Sequence, residues 1–251
     1  MSDQEYNCPP INDFGCIADV YDELVDWAPY GRWVDALESR LRTWGLAPGD
    51  WLLDAACGTG LSSLPWARRG YKVVGADVNE RMLRRARRRA LEEGLDVQFA
   101  RQDVTDLRPP RTFDAVICMH SGLDYLDSDA DLCRAFCSMR SCLRPDGLLA
   151  FDKCLDVPEF YSEDYTESRS LSCGTAEFSY RWDRGRRLFC QQLVVRRSAA
   201  DAAARTEVTY HLHATPPDKL RRWLQKAGFE ELEPVGQFSI LDPGMGIFRA
   251  V

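Results

Sequence analysis

Three aspartates stand where runs of apolar residues end: Asp54 in Leu52-Leu53-Asp54-Ala55-Ala56-Cys57-Gly58-Thr59-Gly60, Asp77 in Gly75-Ala76-Asp77, and Asp103 in Arg101-Gln102-Asp103-Val104. A strand running into small residues and two glycines before a helix lets the backbone approach a ligand and aims helix-terminal N–H groups at it. A dinucleotide site would want a third Gly or Ala at position 63, which is Ser63, and its pyrophosphate would be repelled by Asp54. Asp54 instead attracts a ligand that carries a cationic group. Asp77 lies 19 positions after Gly58, where a carboxylate can accept from both hydroxyls of a ribose, and Val78 after it can cover a face of the base. Asp103 can accept from an adenine amino group while a neighbouring backbone N–H serves a ring nitrogen. Each aspartate alone reads equally well as a helix N-cap. The three in series point to a cationic adenosine derivative.

The elements that must position these groups alternate between two periods. Short apolar runs at 51–53, 71–76, 96–100, 113–119 and 147–151 read as strands, with helical stretches beginning near Leu61, Asn79 and Ser128. That alternation predicts an α/β fold with a parallel sheet covered on both faces. Ahead of it, residues 14–46 read as two short helices broken at Ala28-Pro29, carrying Ile17, Val20, Tyr21, Leu24 and Val25, then Trp33, Val34, Leu37 and Leu41, at helical spacing. After Phe151 the pattern changes. Residues 155–170 show no clear period; Phe178, Tyr180 and Trp182 alternate up to a turn at 183–185; and the runs 188–197 and 207–214 complete an antiparallel insertion. Pro216-Pro217 opens a helix that Gly228 closes, and strands near 230–235 and 246–251 follow. The expected organisation is a helical cap over 1–45, a ligand-binding domain over 46–154 and 216–251, and the insertion over 155–215.

Composition narrows the function. With 45% apolar and 28% charged residues the 251-residue chain can bury a sizeable core. A net charge of -7 should repel a phosphate backbone, so nucleic acid is not an expected partner. No apolar run approaches the roughly 18 residues that would span a bilayer, and the first residues show no export pattern, so a cytoplasmic protein without a membrane partner is expected. Ten cysteines without a CxxC pair read as reduced, mostly buried thiols. The basic run Arg81-Met82-Leu83-Arg84-Arg85-Ala86-Arg87-Arg88-Arg89 reads as a solvated helix face. The oligomeric state is not legible.

LLDAACGTG, VVGADVNERML, RQDVTDL, FDAVICM and LRPDGLLAFD resemble, in order and spacing, the motif series of class I S-adenosylmethionine-dependent methyltransferases, densely over about residues 50–152. The N-terminal YDELVDWAPYGRW, the insertion, and the later TPPDKL helix and AGFEE are similar to bacterial small-molecule enzymes such as glycine and amino-sugar N-methyltransferases. The resemblance implies a Rossmann-like, doubly wound seven-stranded sheet whose last strand is antiparallel. The chain departs from the family where the first glycine of D-x-G-x-G-x-G is Ala56. Position by position, the family implies Asp54 and the Ala56, Gly58 and Gly60 backbone at the methionine end of S-adenosyl-L-methionine. Asp77 would hold the ribose; Val78 and Met82 would flank the adenine; Asp103 and Val104 would bind its edge; Met119 or His120 would lie at the sulfonium. Tyr21 and Trp33 would close over the cofactor, although helical core explains both residues as well. S-adenosyl-L-homocysteine would be the product.

Methyl transfer from a sulfonium requires an aligned lone pair, exclusion of water and an unprotonated nucleophile, so a base near neutral pH is useful. His120 follows the strand FDAVICM at the carboxyl edge where ligands of such sheets bind, with Ser121, Asp124 and Tyr125 in the next turn. Its alternative is a cap or a backbone partner. In 207–214 one face carries Val208, Tyr210, Leu212 and Ala214 and the other Glu207, Thr209, His211 and His213. That polar stripe can line a substrate pocket, bind a metal or face water; no third ligand is placed beside the two histidines, and no metal is expected. His120 or His213 is the expected base, with Asp124 orienting the acceptor. The acceptor is expected to be an N or O of a small metabolite, with natural-product biosynthesis one setting and a non-methylating reaction or a non-enzymatic cofactor module the alternatives. Tyr161, Tyr165, Phe178, Tyr180 and Trp182 offer an aromatic wall or an ordinary insertion core.

Overall fold

The strand–helix alternation folds in the order read: β1 (Trp51–Ala55), β2 (Lys72–Asp77), β3 (Val97–Arg101), β4 (Phe113–Cys118) and β5 (Leu143–Phe151) are parallel neighbours in one sheet. β10 (Phe229–Glu233) and β11 (Gly246–Ala250) extend it to seven strands in the order β10-β11-β5-β4-β1-β2-β3, with the last strand, β11, antiparallel to β5 and to β10. The computed structural model describes residues 14–126, 128–155, 164–183, 185–198, 205–236 and 244–251. Because side chains alternate along a strand, this sheet feeds two cores. Leu53, Val74, Val116, Leu149 and Phe248 face α5 (Asp129–Cys142) and α6 (Pro217–Lys226). Leu52, Val73, Ile117, Ala150 and Ile247 face α2 (Tyr30–Thr43) and α3 (Ser63–Arg68), whose Trp33 and Trp66 are fully buried. α4 (Glu80–Glu92) lies along β2 and β3 and begins where predicted, at Asn79, whose side chain accepts from the Arg81 and Met82 backbone N–H groups.

The insertion is a separate antiparallel sheet of four strands, β6 (Tyr165–Leu171), β7 (Gly174–Asp183), β8 (Leu188–Arg197) and β9 (Arg205–His213). The first was not anticipated. β6 is an edge strand of sequence YTESRSL, so polar residues on both faces hide its period; Tyr165 shows its pairing by stacking on Tyr180 with centroids 4.4 Å apart. The apolar face of this sheet, including Phe178, Tyr180, Val195, Val208 and Tyr210, packs on Ile17, Val20 and Leu24 of the N-terminal segment. Burying each such side chain contributes about 1.5–3 kcal/mol. Polar ties fix the register: Glu23 accepts from the Ser172 N–H and hydroxyl, each at 2.6 Å, and Arg197 reaches Asp19 at 2.7 Å. The first N-terminal helix is shorter than its apolar spacing suggested, with residues 14–17 in one 3-10 turn and α1 spanning only Tyr21–Leu24, whereas the second is formed as read, as α2.

No helix among the described residues is long and apolar enough to cross a membrane. Cys57, Cys118 and Cys142 are buried thiols, but Cys137 is exposed on α5 and Cys16, Cys133, Cys154, Cys173 and Cys190 are half-buried, so most of the described cysteines lie nearer the surface than expected.

Beyond β5, one buried ion pair fastens the insertion to the sheet. Lys153 Nζ donates to Asp124 at 2.5 Å with both side chains 1% exposed, and it donates again to the His213 carbonyl at the end of β9. The Cys154 N–H adds a third bond to Asp124 at 3.0 Å. Removing one member leaves a desolvated charge without its counter-ion. Lys153→Met should therefore lower the unfolding free energy by about 3–5 kcal/mol in urea, and pairing it with Asp124→Leu should restore much of that loss.

Candidate active site

A cavity of about 350 Å³ opens at the carboxyl ends of the parallel strands, beneath the N-terminal segment. Its floor is the turn between β1 and α3. Ala56 adopts φ 59° and Gly58 φ 55°, and a Cβ built on Gly58 would meet nothing within 4 Å, which marks the side of the turn open to the cavity. The left-handed conformation explains why the resembling family favours glycine at position 56; alanine there carries roughly 1–2 kcal/mol of strain. Gly60 (φ 82°) serves another need: its Cβ would sit 3.1 Å from Ala86 and Leu64, so the turn can lie close on α4.

Asp77 at the end of β2 accepts from the Gly58 N–H and the Asn79 N–H, each at 2.8 Å, and still lines the cavity. Burial raises its carboxyl above the usual range. Asp103 caps the 3-10 turn Val104–Asp106 by accepting from the Thr105 N–H at 2.8 Å, and it too lines the cavity. The cap and the ligand role are therefore compatible. Val78, Met82, Gln102 and Val104 line the same part. Asp54 does not. It is fully buried under the turn, accepts from Ser62 at 2.6 Å and Ser63 at 2.5 Å, and burial pushes its carboxyl up to about 6.

Across β1, on the β4 side, the lining is Phe14, Tyr21, Tyr30, Met119, His120, Tyr125 and Leu126. The Tyr30 hydroxyl is hydrogen-bonded to His120 Nδ1. Burial lowers the imidazole to about 4 and raises Tyr21 to about 12, so near neutral pH both are uncharged. When Tyr30 donates to Nδ1, the imidazole carries its proton on Nε2 and presents an N–H donor. His120 and Ser121 both adopt φ 63°, an uncommon conformation for two consecutive non-glycine residues.

Of the residues expected at the site, Tyr21, Ala56, Gly58, Asp77, Val78, Met82, Asp103, Val104, Met119 and His120 come together around this cavity. Trp33, Asp54, Gly60, Asp124 and His213 are not in its lining. Trp33 is core, its ring 5.7 Å from that of His120. Asp124 faces Lys153 because that buried ammonium needs a counter-charge, and His213 offers its carbonyl to the same ammonium. The His211 and His213 stripe is not in the lining either, because β9 turns its Val208 and Tyr210 face inward; Tyr210 stacks on Phe14 with centroids 4.5 Å apart. Tyr161 lies outside the described residues.

Several lining residues were not singled out from sequence. Tyr30 sits three residues before Trp33 on the stripe read as helix core, Phe14 carried no motif, and Tyr125 was read only as a neighbour of His120, with no role. The basic run on α4 was read as wholly solvated, yet Arg85 and Arg89 turn to Asp22, Arg85 at 3.0 Å. Asp22 also accepts from the Thr59 hydroxyl at 2.6 Å, and Arg89 donates to the Thr59 carbonyl at 3.0 Å. This cluster ties α1 to the glycine-rich turn.

Comparison with known proteins agrees with this fold. Residues 52–147 match the family described as a methyltransferase domain. A Geobacillus sp. (strain WCH70) protein, named provisionally as a methyltransferase, is 28% identical over 87% of this chain and 90% of its own length. The glycine/sarcosine N-methyltransferase of Aphanothece halophytica is 26% identical over 87% of this chain and 80% of its own. Among solved structures, an S-adenosylmethionine-dependent methyltransferase from Clostridium acetobutylicum superposes with a TM-score of 0.79 at 18% identity, covering 95% of this chain and 99% of the other. The S-adenosylmethionine-bound amino pentose methyltransferase CalS10 of Micromonospora echinaspora gives 0.73 at 21% identity, covering 92% and 96%. Residues 52–147 thus form a methyltransferase domain, and the chain has the fold of the class I S-adenosylmethionine-dependent methyltransferases.

Proposed function

We propose that this chain transfers the methyl group of S-adenosyl-L-methionine to a nitrogen or oxygen of a compact metabolite that carries no acid group. The observation that carries the reading is one cavity with two characters, carboxylates at the ends of β2 and β3 and neutral aromatic groups at the end of β4. The donor set suits a cationic adenosine derivative. Asp77 and Asp103 are the charged side chains in the described lining, with Val78, Met82 and Val104 as apolar neighbours, and no Lys or Arg is among them.

Asp77 would accept from the ribose hydroxyls and Asp103 from the adenine amino group, while the turn at Gly58 admits the amino-acid portion. Asp54 adds negative potential from beneath the turn. When bound, S-adenosyl-L-methionine supplies a methyl group already activated by its sulfonium. Phe14, Tyr21 and Tyr125 exclude water, the Tyr hydroxyl oxygens would accept from the acceptor's N–H or O–H and so aim its lone pair, and the His120 Nε2–H would hold the acceptor through another of its oxygens. An imidazole lowered to about 4 is a weak base, so His120 is assigned to orientation rather than proton removal. The described lining on the β4 side has no carboxylate, so burial favours an amine in its uncharged, nucleophilic form.

Absence of a cation from that lining also disfavours an acidic acceptor, since a buried carboxylate needs a counter-charge. Outside the described residues the sequence holds no Lys and no Arg except Arg184. The glycine/sarcosine N-methyltransferase supports nitrogen as the acceptor, and the lining favours a substrate without an acid group, of the amino pentose kind.

Incubation with methyl-labelled S-adenosyl-L-methionine and a panel pairing each neutral amine with its carboxylated analogue, tyramine with tyrosine and an amino pentose beside glycine, tests this. Label should pass to amines lacking a carboxylate, with S-adenosyl-L-homocysteine released. Preferential labelling of glycine or tyrosine would contradict the acceptor assignment, and cofactor binding without any S-adenosyl-L-homocysteine would contradict methyl transfer. Asp77→Ala should weaken S-adenosyl-L-methionine binding about 10–100-fold by calorimetry, the loss of a hydrogen bond to a charged acceptor.

A further inference from the structure

The first residue after β5 is a fourth aspartate at a strand end, and it stands outside the cavity lining. Asp152 is 3% exposed. Its Oδ2 accepts from the Ser121 backbone N–H at 2.7 Å and meets the Ser121 hydroxyl at 3.5 Å, while its Oδ1 is buried without a hydrogen-bond partner. The backbone N–H groups of Ser121, Asp152 and His120 all lower the cost of its charge. Lys153, next in sequence, is committed to Asp124 and the His213 carbonyl. Asp152 is therefore held by the turn after β4, and that turn is the one in which His120 and Ser121 both stand at φ 63°.

A left-handed pair without glycine persists only where its surroundings over-determine it. The Ser121 N–H is an obligatory donor, and in this conformation its acceptor is the buried Asp152 carboxylate. Releasing it would let residues 120 and 121 relax to negative φ and rotate the imidazole away from Tyr30.

We propose that Asp152 is a positioning residue, whose carboxylate locks the left-handed His120–Ser121 backbone and so aims the His120 imidazole into the cavity against Tyr30. It acts through His120 and contacts no substrate. The proposal rests on the assignment of His120 to the acceptor side of the site. Burial and Asp124 together bring the Asp152 carboxyl up to about 7, which fits a carboxylate held by backbone donors rather than by a cation.

The chain has only three histidines, His120, His211 and His213, so imidazole ¹⁵N resonances can be assigned one by one on the full-length protein. In Asp152→Ala, the His120 Nδ1 resonance should move as its bond to Tyr30 is lost, and the Ser121 amide should exchange at least tenfold faster, while amides of β4 and the other two imidazoles stay in place. Asp152→Asn keeps one acceptor oxygen and should give smaller changes of the same sign. Should Asp152→Ala not fold, the Asn variant alone carries the comparison. Unchanged His120 and Ser121 signals in a folded Ala variant, or in the Asn variant where Ala does not fold, would overturn the proposal. Calorimetry of the unsubstituted protein with S-adenosyl-L-methionine reads the cofactor assignment separately, so either idea can fail alone.

Discussion

Holding negative charge where water is scarce is the constraint on which this structure turns. Four aspartates end strands on one edge of the sheet, Asp54 and Asp152 buried, Asp77 half-buried and Asp103 exposed at the rim, and the groups on their oxygens are hydroxyls and backbone N–H groups rather than guanidinium or ammonium groups. Neutral donors satisfy lone pairs without cancelling charge. The raised carboxyls of Asp54, Asp77 and Asp152 are the expected consequence, because desolvation is only partly offset. What results is a strand edge whose potential favours a cation and disfavours a pyrophosphate, and this separates the site from other glycine-rich turns of α/β sheets.

The same constraint explains the assembly above the sheet. A carboxylate edge open to water would lose most of its field. The N-terminal segment and the insertion form one apolar body, with Ile17, Val20 and Leu24 against Phe178, Val195 and Val208, and this body is fastened at two charged points. One is Asp22 with Arg85, Arg89 and Thr59, on the side of the glycine-rich turn. The other is Lys153 with Asp124 and the His213 carbonyl, beside β5. In both, a cation meets a carboxylate away from the cavity lining, so the enclosure is tied down without neutralising the edge it covers.

Much of this was legible in the residues. The sheet followed from period-2 runs between helical stretches, and the carboxylate edge from aspartates at fixed places after them. Three kinds of feature were not. β6 was hidden because a polar edge strand has no apolar alternation to read. Tyr30 was hidden because a cavity-lining aromatic and a core aromatic look alike on a helix stripe, and Phe14 because no motif marked it, whereas Tyr125 was read in the turn after His120 without its place in the lining. Asp124 and His213 drew attention as polar residues near the expected site, whereas their pairing with Lys153 depends on the end of β9 meeting the residue that follows Asp152 and on β9 packing over the turn 122–125, which no local pattern encodes. Asp152 is the instructive case. It obeys the strand-end rule that singled out the other three, and the phrase LRPDGLLAFD contained it.

The central claim is that this carboxylate edge selects a cationic adenosine derivative. Isothermal titration of the full chain with S-adenosyl-L-methionine and, separately, with NADH measures it most directly. The account predicts saturable heat with S-adenosyl-L-methionine and none with NADH; heat with NADH and none with S-adenosyl-L-methionine would contradict it.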